Sequence, residues 1–238
     1  MPIIDCQTIV GVWPSSPVDL SPAALTSAMQ ARGVARAIAC HTSALFYDAP
    51  SGNRTLEAMA GLTPGLMPAA VLNPRRYPAC LAEAKRALDA GVRCYRFFPG
   101  IHDYPFSGQL AALVETLAAL RDAKLLQIDL QGAGATYLAR DFGPHLPVPA
   151  VLTVESEDLG LALAAAREIP ALHIDTSRLT ATGAIETAVR EIGAERVLFG
   201  SGAPLMALGS AVMSVQYAEI SEADRAAILE GNVARILA

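Results

Sequence analysis

Apolar positions along the chain fall into short continuous runs, separated by stretches with helical spacing. The first run covers residues 3–10. Ser21 and Pro22 then open a helix, with Ser as N-cap and Pro in the first turn. Leu25 and Met29 supply its apolar face, and Gly33 is its stop. Runs at 34–40, 66–72 and 92–98 alternate with helices predicted over about 53–60 and 78–90. Asn73-Pro74 closes the third run, and Gly91 ends the helix that follows it. Ser107 is expected to cap a helix with a stripe of Leu110, Leu113, Val114, Leu117 and Leu120. A run at 124–130 leads to a helix near 135–141, and a run at 149–154 follows. Ser156, Glu157 and Asp158 open the next helix, with acids suited to its positive end. A run at 171–175, a helix over 181–192 and a run at 196–200 precede one or two closing helices over 205–237.

Eight such runs, each followed by a helix at about 30 residues per unit, predict an α/β chain folded as a (β/α)8 TIM barrel. Continuous rather than alternating runs are expected of parallel strands covered by helices. A doubly wound open sheet would usually have fewer strands and a glycine fingerprint after the first one, which this chain lacks. No low-complexity linker divides residues 1–238, so a single barrel domain is expected.

Composition agrees with that reading. Of 238 residues, 53% are hydrophobic and 17% charged, which excludes intrinsic disorder and favours a sheet buried on both faces. The net charge of −5 and the absence of a basic run argue against a nucleic-acid partner. No apolar stretch approaches a membrane span, and no basic-then-apolar leader opens the chain, so no membrane partner is expected. Cys6, Cys40, Cys80 and Cys94 form no CxxC pair, and a cytoplasmic protein with reduced thiols is the expectation.

In a barrel the chemistry sits at the C-terminal strand ends. The polar residues at those places are Asp5 and Gln7, then His41, then Asn73, then Arg96 with His102 and Tyr104 in the following loop. Asp129, Gln131, Glu155, Asp175 and Ser201 complete the set. Each has a structural reading too. Asp5 suits a carboxylate that accepts backbone hydrogen bonds, and Arg96 suits an internal ion pair with Asp129 or Asp175. Neither GxSxG, Walker A, HExxH nor GxGxxG occurs. Residues 132–135 read as a Gly-rich turn starting a helix rather than as a phosphate cradle.

Several segments together resemble the amidohydrolase-related family of the amidohydrolase superfamily. They are Ile3-Ile4-Asp5-Cys6-Gln7-Thr8-Ile9, Gly91-Val92-Arg93-Cys94-Tyr95-Arg96-Phe97-Phe98-Pro99 and His173-Ile174-Asp175-Thr176-Ser177. The strongest is Arg196-Val197-Leu198-Phe199-Gly200-Ser201-Gly202-Ala203-Pro204, followed by Ile228-Leu229-Glu230-Gly231-Asn232-Val233-Ala234-Arg235-Ile236-Leu237. The resemblance implies a metal-dependent hydrolase or decarboxylase barrel. It also implies ligands that this chain lacks. The family's H-x-H on the first strand falls on Gln7 and Ile9, and its fifth-strand histidine on Asp129. Its sixth-strand histidine falls near Val154 and Glu155, and its eighth-strand aspartate on Gly202. Such a metal would lower the pKa of bound water from about 15.7 to about 7. Isoleucine and glycine offer no donor for it.

The expectation is therefore an amidohydrolase-like barrel with no metal ligands and no cofactor, binding a small-molecule ligand or substrate at its mouth. In an active form His41 or His102 would be the acid/base, Arg96 the carboxylate or oxyanion binder, and Asp129 or Glu155 a second acid/base. Asp5, Gln7, Asn73, Tyr104, Gln131, Glu155, Asp175 and Ser201 would contact the ligand. One alternative is a non-catalytic ligand- or partner-binding barrel. Another is a metal hydrolase or decarboxylase with non-standard ligands, in which His41 and His102 could join the cluster while His145 and His173 stay outside. Oxygen-only donors from Asp5, Gln7, Asp129 and Glu155 would suit Mg²⁺ or Ca²⁺. The loops at 46–53 and 101–105 suit a pocket lid. A homo-oligomer is compatible with the sequence, which marks no interface.

Overall fold

Parallel strands order themselves around the axis as they do in the chain, β1 to β8. The computed structural model describes residues 2–130 and 142–238. The helix expected near 135–141, the Gly-rich turn at 132–135 and Gln131 lie outside the described residues. The strands are β1 (Ile3–Val10), β2 (Val34–His41), β3 (Leu66–Leu72), β4 (Cys94–Phe97), β5 (Leu125–Asp129), β6 (Ala150–Thr153), β7 (Leu172–Asp175) and β8 (Val197–Leu198). The ring closes between β8 and β1. Cys6 N–H donates to Phe199 O at 2.8 Å, and Ile9 N–H to Ala203 O at 2.9 Å. This is the (β/α)8 barrel that the alternation of runs predicts.

Local chemistry sets the helices that face the site. The helix α1 (Pro22–Arg32) begins at Ser21, whose Oγ accepts from Ala24 N–H at 3.1 Å, and ends at Gly33 with φ 69°. The helix expected over 53–60 is the middle of α3 (Ala49–Leu62), and a short helix that the sequence did not mark, α2 (Thr42–Phe46), precedes it. Local caps start each one: His41 Nδ1 accepts from Ser43 N–H, and Asp48 Oδ2 from Ser51 N–H. The segment read as a lid loop is therefore largely helical. Helices α4 (Ala79–Asp89) and α5 (Pro99–His102) follow.

Helix α6 (Ala111–Ala118) is shorter than its apolar stripe, and Ser107 caps a turn before it through Gln109 N–H. Ser156 opens a 3-10 turn that runs directly into the expected helix, over Leu159–Glu168, and its Oγ accepts from Thr180 and Ala181 N–H on the β7 side.

Inside the barrel, side chains stack in layers. A lower layer includes Ile4, Cys6, Cys94, Leu125, Val151 and Leu198, and Val233 of the closing Asn232–Leu237 helix packs against it. Towards the C-terminal ends Arg96 pairs in register with Gln127, and Asp129 with Thr153. The register of β1 against β2 slips between Asp5 and Thr8. Ile4 and Cys6 thus face the lower layer, whereas Gln7 and Ile9 face the mouth. Such an irregularity reverses side-chain parity along a strand. All four cysteines are buried and unbridged. No described helix is long and apolar enough to cross a membrane.

Candidate functional site at the C-terminal face

Polar side chains surround the axis at the strand ends, and they bond mainly to one another. Arg96 on β4 is 6% exposed, so its charge must be met inside the protein. Its Nη2 lies 3.4 Å from Asp129 Oδ2 at the end of β5, and its Nη1 donates to Thr8 O at 3.2 Å. The guanidinium also stands 4.6 Å from the Phe98 ring centroid, a cation–π contact.

A second chain of bonds runs across the mouth. Gln7 Nε2 donates to Thr153 Oγ1 at 2.7 Å, and the Thr153 hydroxyl donates to Asp175 Oδ2. Asp175 Oδ1 accepts from Ser177 N–H at 2.8 Å and from Ser177 Oγ at 2.5 Å. Deeper still, Asp5 accepts from Gln7 N–H at 2.9 Å, from Ser201 N–H at 3.1 Å and from the Ser201 hydroxyl. Burial pushes the Asp5 carboxyl up to about 7, against the lowering effect of the Ser201 and Gln7 bonds. Burial raises Asp175 as well, opposed by Ser177 and Thr153.

The donor set does not fit the metal that the resemblance implies. Ile9 packs among Cys40, Leu45, Val71 and Phe98, and Gly202 has no side chain. The Gln7 Nε2 donates to Thr153 and leaves Oε1 without a partner, and Asp129 is paired with Arg96. Glu155, at the rim, is paired with Arg178 at 2.8 Å. Among the described residues no three His, Cys, Asp or Glu side chains group in a way that could hold a metal ion.

Among the described residues, cavities open on this face at the axis and beside it. The one at the axis holds about 30 Å³ and is lined by Gln7, Arg96, Asp129 and Ser177, with Trp13 and Met206 at its edge. That is room for a water molecule or two. The other holds about 420 Å³ and lies beside the axis, between α2, the start of α3, α4 and α5. Its size falls within the range of about 300–1,000 Å³ usual for small-molecule sites. Asn73, Arg76, Cys80 and His102 line it.

The sequence-selected residues are thus divided. Gln7, Arg96 and Asp129 reach the small cavity, and Asn73 and His102 the large one. Asp5, Asp175 and Ser201 are buried, each bonded within the barrel. Tyr104 is buried against the His102 ring. His41 lines neither cavity and serves as the cap of α2. Burial lowers the pKa of both His41 and His102.

Sequence reading missed Thr153, although it pairs in register with Asp129 and so stands at the same level. It also missed Arg76 and Cys80, which belong to α4 and the turn before it rather than to a strand end. No strand-end rule would have found them.

A family model described as Amidohydrolase matches residues 9–238. No curated protein matches the sequence. Among solved structures, the chain is similar to a 2,6-dihydroxybenzoate decarboxylase from Rhizobium, with TM-score 0.75, 16% identity, and 99% of this chain and 98% of that one covered. It is similar to an amidohydrolase from Burkholderia multivorans with bound HEPES, with TM-score 0.70, 16% identity, and 99% of each chain covered. A dihydroxybenzoic acid decarboxylase from Polaromonas, with bound manganese and the inhibitor 2-nitroresorcinol, gives TM-score 0.68 and 16% identity over 99% and 96% of the two chains. At these identities the likeness concerns the fold.

Proposed function

The chain belongs to the amidohydrolase family, and we propose that it is a member without the family's metal, binding a small molecule at the C-terminal face of its barrel. One observation carries this reading. Among the described residues at the places where the resemblance puts ligands, Ile9 and Gly202 offer no donor, the aspartate is held by a buried arginine, and the Gln7 Oε1 stands without a partner. One amide oxygen is a weak ligand, and the aspartate would have to leave its arginine to take a cation. The lack of a ligand cluster among the described residues supports binding without a metal, and the 420 Å³ cavity supplies the room.

A second reading has its own support. Manganese is bound in the dihydroxybenzoic acid decarboxylase similar to this chain. On that reading the protein is a metal-dependent decarboxylase or hydrolase whose ligands are non-standard.

Metal content and melting temperature decide between them. A resident metal at a hundred times its Kd adds about 2.7 kcal/mol, a shift of roughly 5–10 °C for a chain of this size. The expected result is substoichiometric transition metal in the purified protein and an unchanged melting temperature with Mn²⁺, Zn²⁺ or a chelator. One tightly bound transition metal per chain would establish the second reading instead.

A further inference from the structure

We propose that the cavity between α2, α3 and α4 is the ligand site of this face, and that it takes a small monoanion with an apolar body and one hydrogen-bond donor. This rests on the reading of a small-molecule binder and names where the molecule sits and what it carries.

The apolar body follows from the wall, where Phe46, Leu72 and Ile101 stand. The negative charge follows from the state of the charged residues around it. Arg76 is exposed at the rim and makes no ion pair among the described residues, whereas its neighbour Arg75 is held by Asp103 at 3.0 Å. The acids of the same wall are engaged. Glu83 accepts from Asn53 at 2.9 Å and from Arg86 at 2.8 Å, and Asp48 caps α3 through Ser51 N–H at 2.9 Å. Among the described residues the cavity therefore offers Arg76 as an uncommitted cation.

The donor follows from His102. Its Nε2 lies 2.9 Å from Leu45 O, and a carbonyl only accepts, so the proton is on Nε2. Nδ1 is then an acceptor, buried and without a partner. Unpartnered buried polar atoms are rare in native proteins and mark a place where a polar group belongs. Gln7 Oε1 and Arg96 Nε mark the axial cavity in the same way, but its volume of about 30 Å³ admits water rather than an apolar body.

The probe 8-anilinonaphthalene-1-sulfonate has the required parts: an apolar body, one anionic group and one N–H. Fluorescence titration of the wild-type chain is expected to give a single saturable site. Ala79→Trp, at an exposed position on the cavity wall, is expected to abolish it. Arg76→Ala, also at an exposed position, is expected to weaken it roughly tenfold, the usual effect of losing a charge-assisted contact. Met206→Trp, which fills the axial cavity, is expected to leave it unchanged. Absence of a saturable site, or binding by Ala79→Trp equal to wild type, would overturn the assignment. Binding lost in Met206→Trp but kept in Ala79→Trp would overturn it while leaving a small-molecule binder at the axis. A requirement for added Mn²⁺ would instead remove the metal-free reading on which the assignment rests.

Discussion

Asp5 shows how far a residue that looks functional can be held by structural bonds. A carboxylate inside the first strand of a barrel is a natural candidate for chemistry, yet here it is fully buried and accepts from Gln7 and Ser201 on the seam where β1 meets β8. Its pKa is raised from 3.8 to about 7 by burial, so the folded state holds a proton that the unfolded state has lost between those values. Stability from this group is complete below about pH 3.8 and is lost as pH rises through about 7, by an amount on the order of 4 kcal/mol. Asp5→Asn keeps an acceptor for both backbone N–H groups and cannot ionise. Unfolding in denaturant between pH 4 and pH 8 should show the Asn variant gaining on wild type as pH rises. A parallel pair of curves would refute the assignment. Arg96 and Asp129 carry both readings at once. Their sequence positions predict a site, and the ion pair foreseen beside it is present at 3.4 Å, on the wall of the axial cavity that both residues line.

At the scale of elements, the α2–α3 corner governs the proposed ligand cavity. Gly52 sits in the first turns of α3, where a Cβ would come within 2.2 Å of Ala44 N and 2.5 Å of Ala44 Cα on α2. Backbone cannot yield as a flexible side chain does. A Gly→Ala change inside a helix ordinarily gains up to about 1 kcal/mol. Here Gly52→Ala should cost about 1–3 kcal/mol by overpacking, with the sign reversed from helix propensity alone. Equilibrium unfolding of the variant tests it, and a stabilised variant would mean the two helices are not held together. Because Ala44 forms part of the cavity wall, the same variant should also weaken probe binding. The sequence showed a helix near here but not two. Its apolar spacing is too short to mark α2, and the caps at His41 and Asp48 involve residue types that also suit active sites.

Across the whole molecule, the barrel is sealed at its lower end by its closing helix. Val233 is fully buried among Ile4, Leu198 and their neighbours, while Asn232 Nδ2 donates to Ala194 O at 2.7 Å and Val197 O at 2.8 Å. Val233→Ala should cost about 1–3 kcal/mol in denaturant unfolding. Met213→Ala, at an exposed position of the Leu208–Gln216 helix, should stay within about 0.5 kcal/mol. Equal effects would mean that this end of the barrel is not closed as described. The sequence by itself determined the (β/α)8 architecture and which strand ends carry polar groups, because burial on both faces writes continuous apolar runs and helices write their own period. It also put Ile9 and Gly202, which carry no donor, where the resemblance expects ligands. What only the tertiary structure decided is which polar groups face one another across the barrel. Pairing between residues distant in the chain depends on register, on the slip in β1 and on where helices lean, none of which leaves a local trace. For that reason the network around the axis, and the cavity beside it formed partly by Arg76 and Cys80, become visible only once the ring is closed.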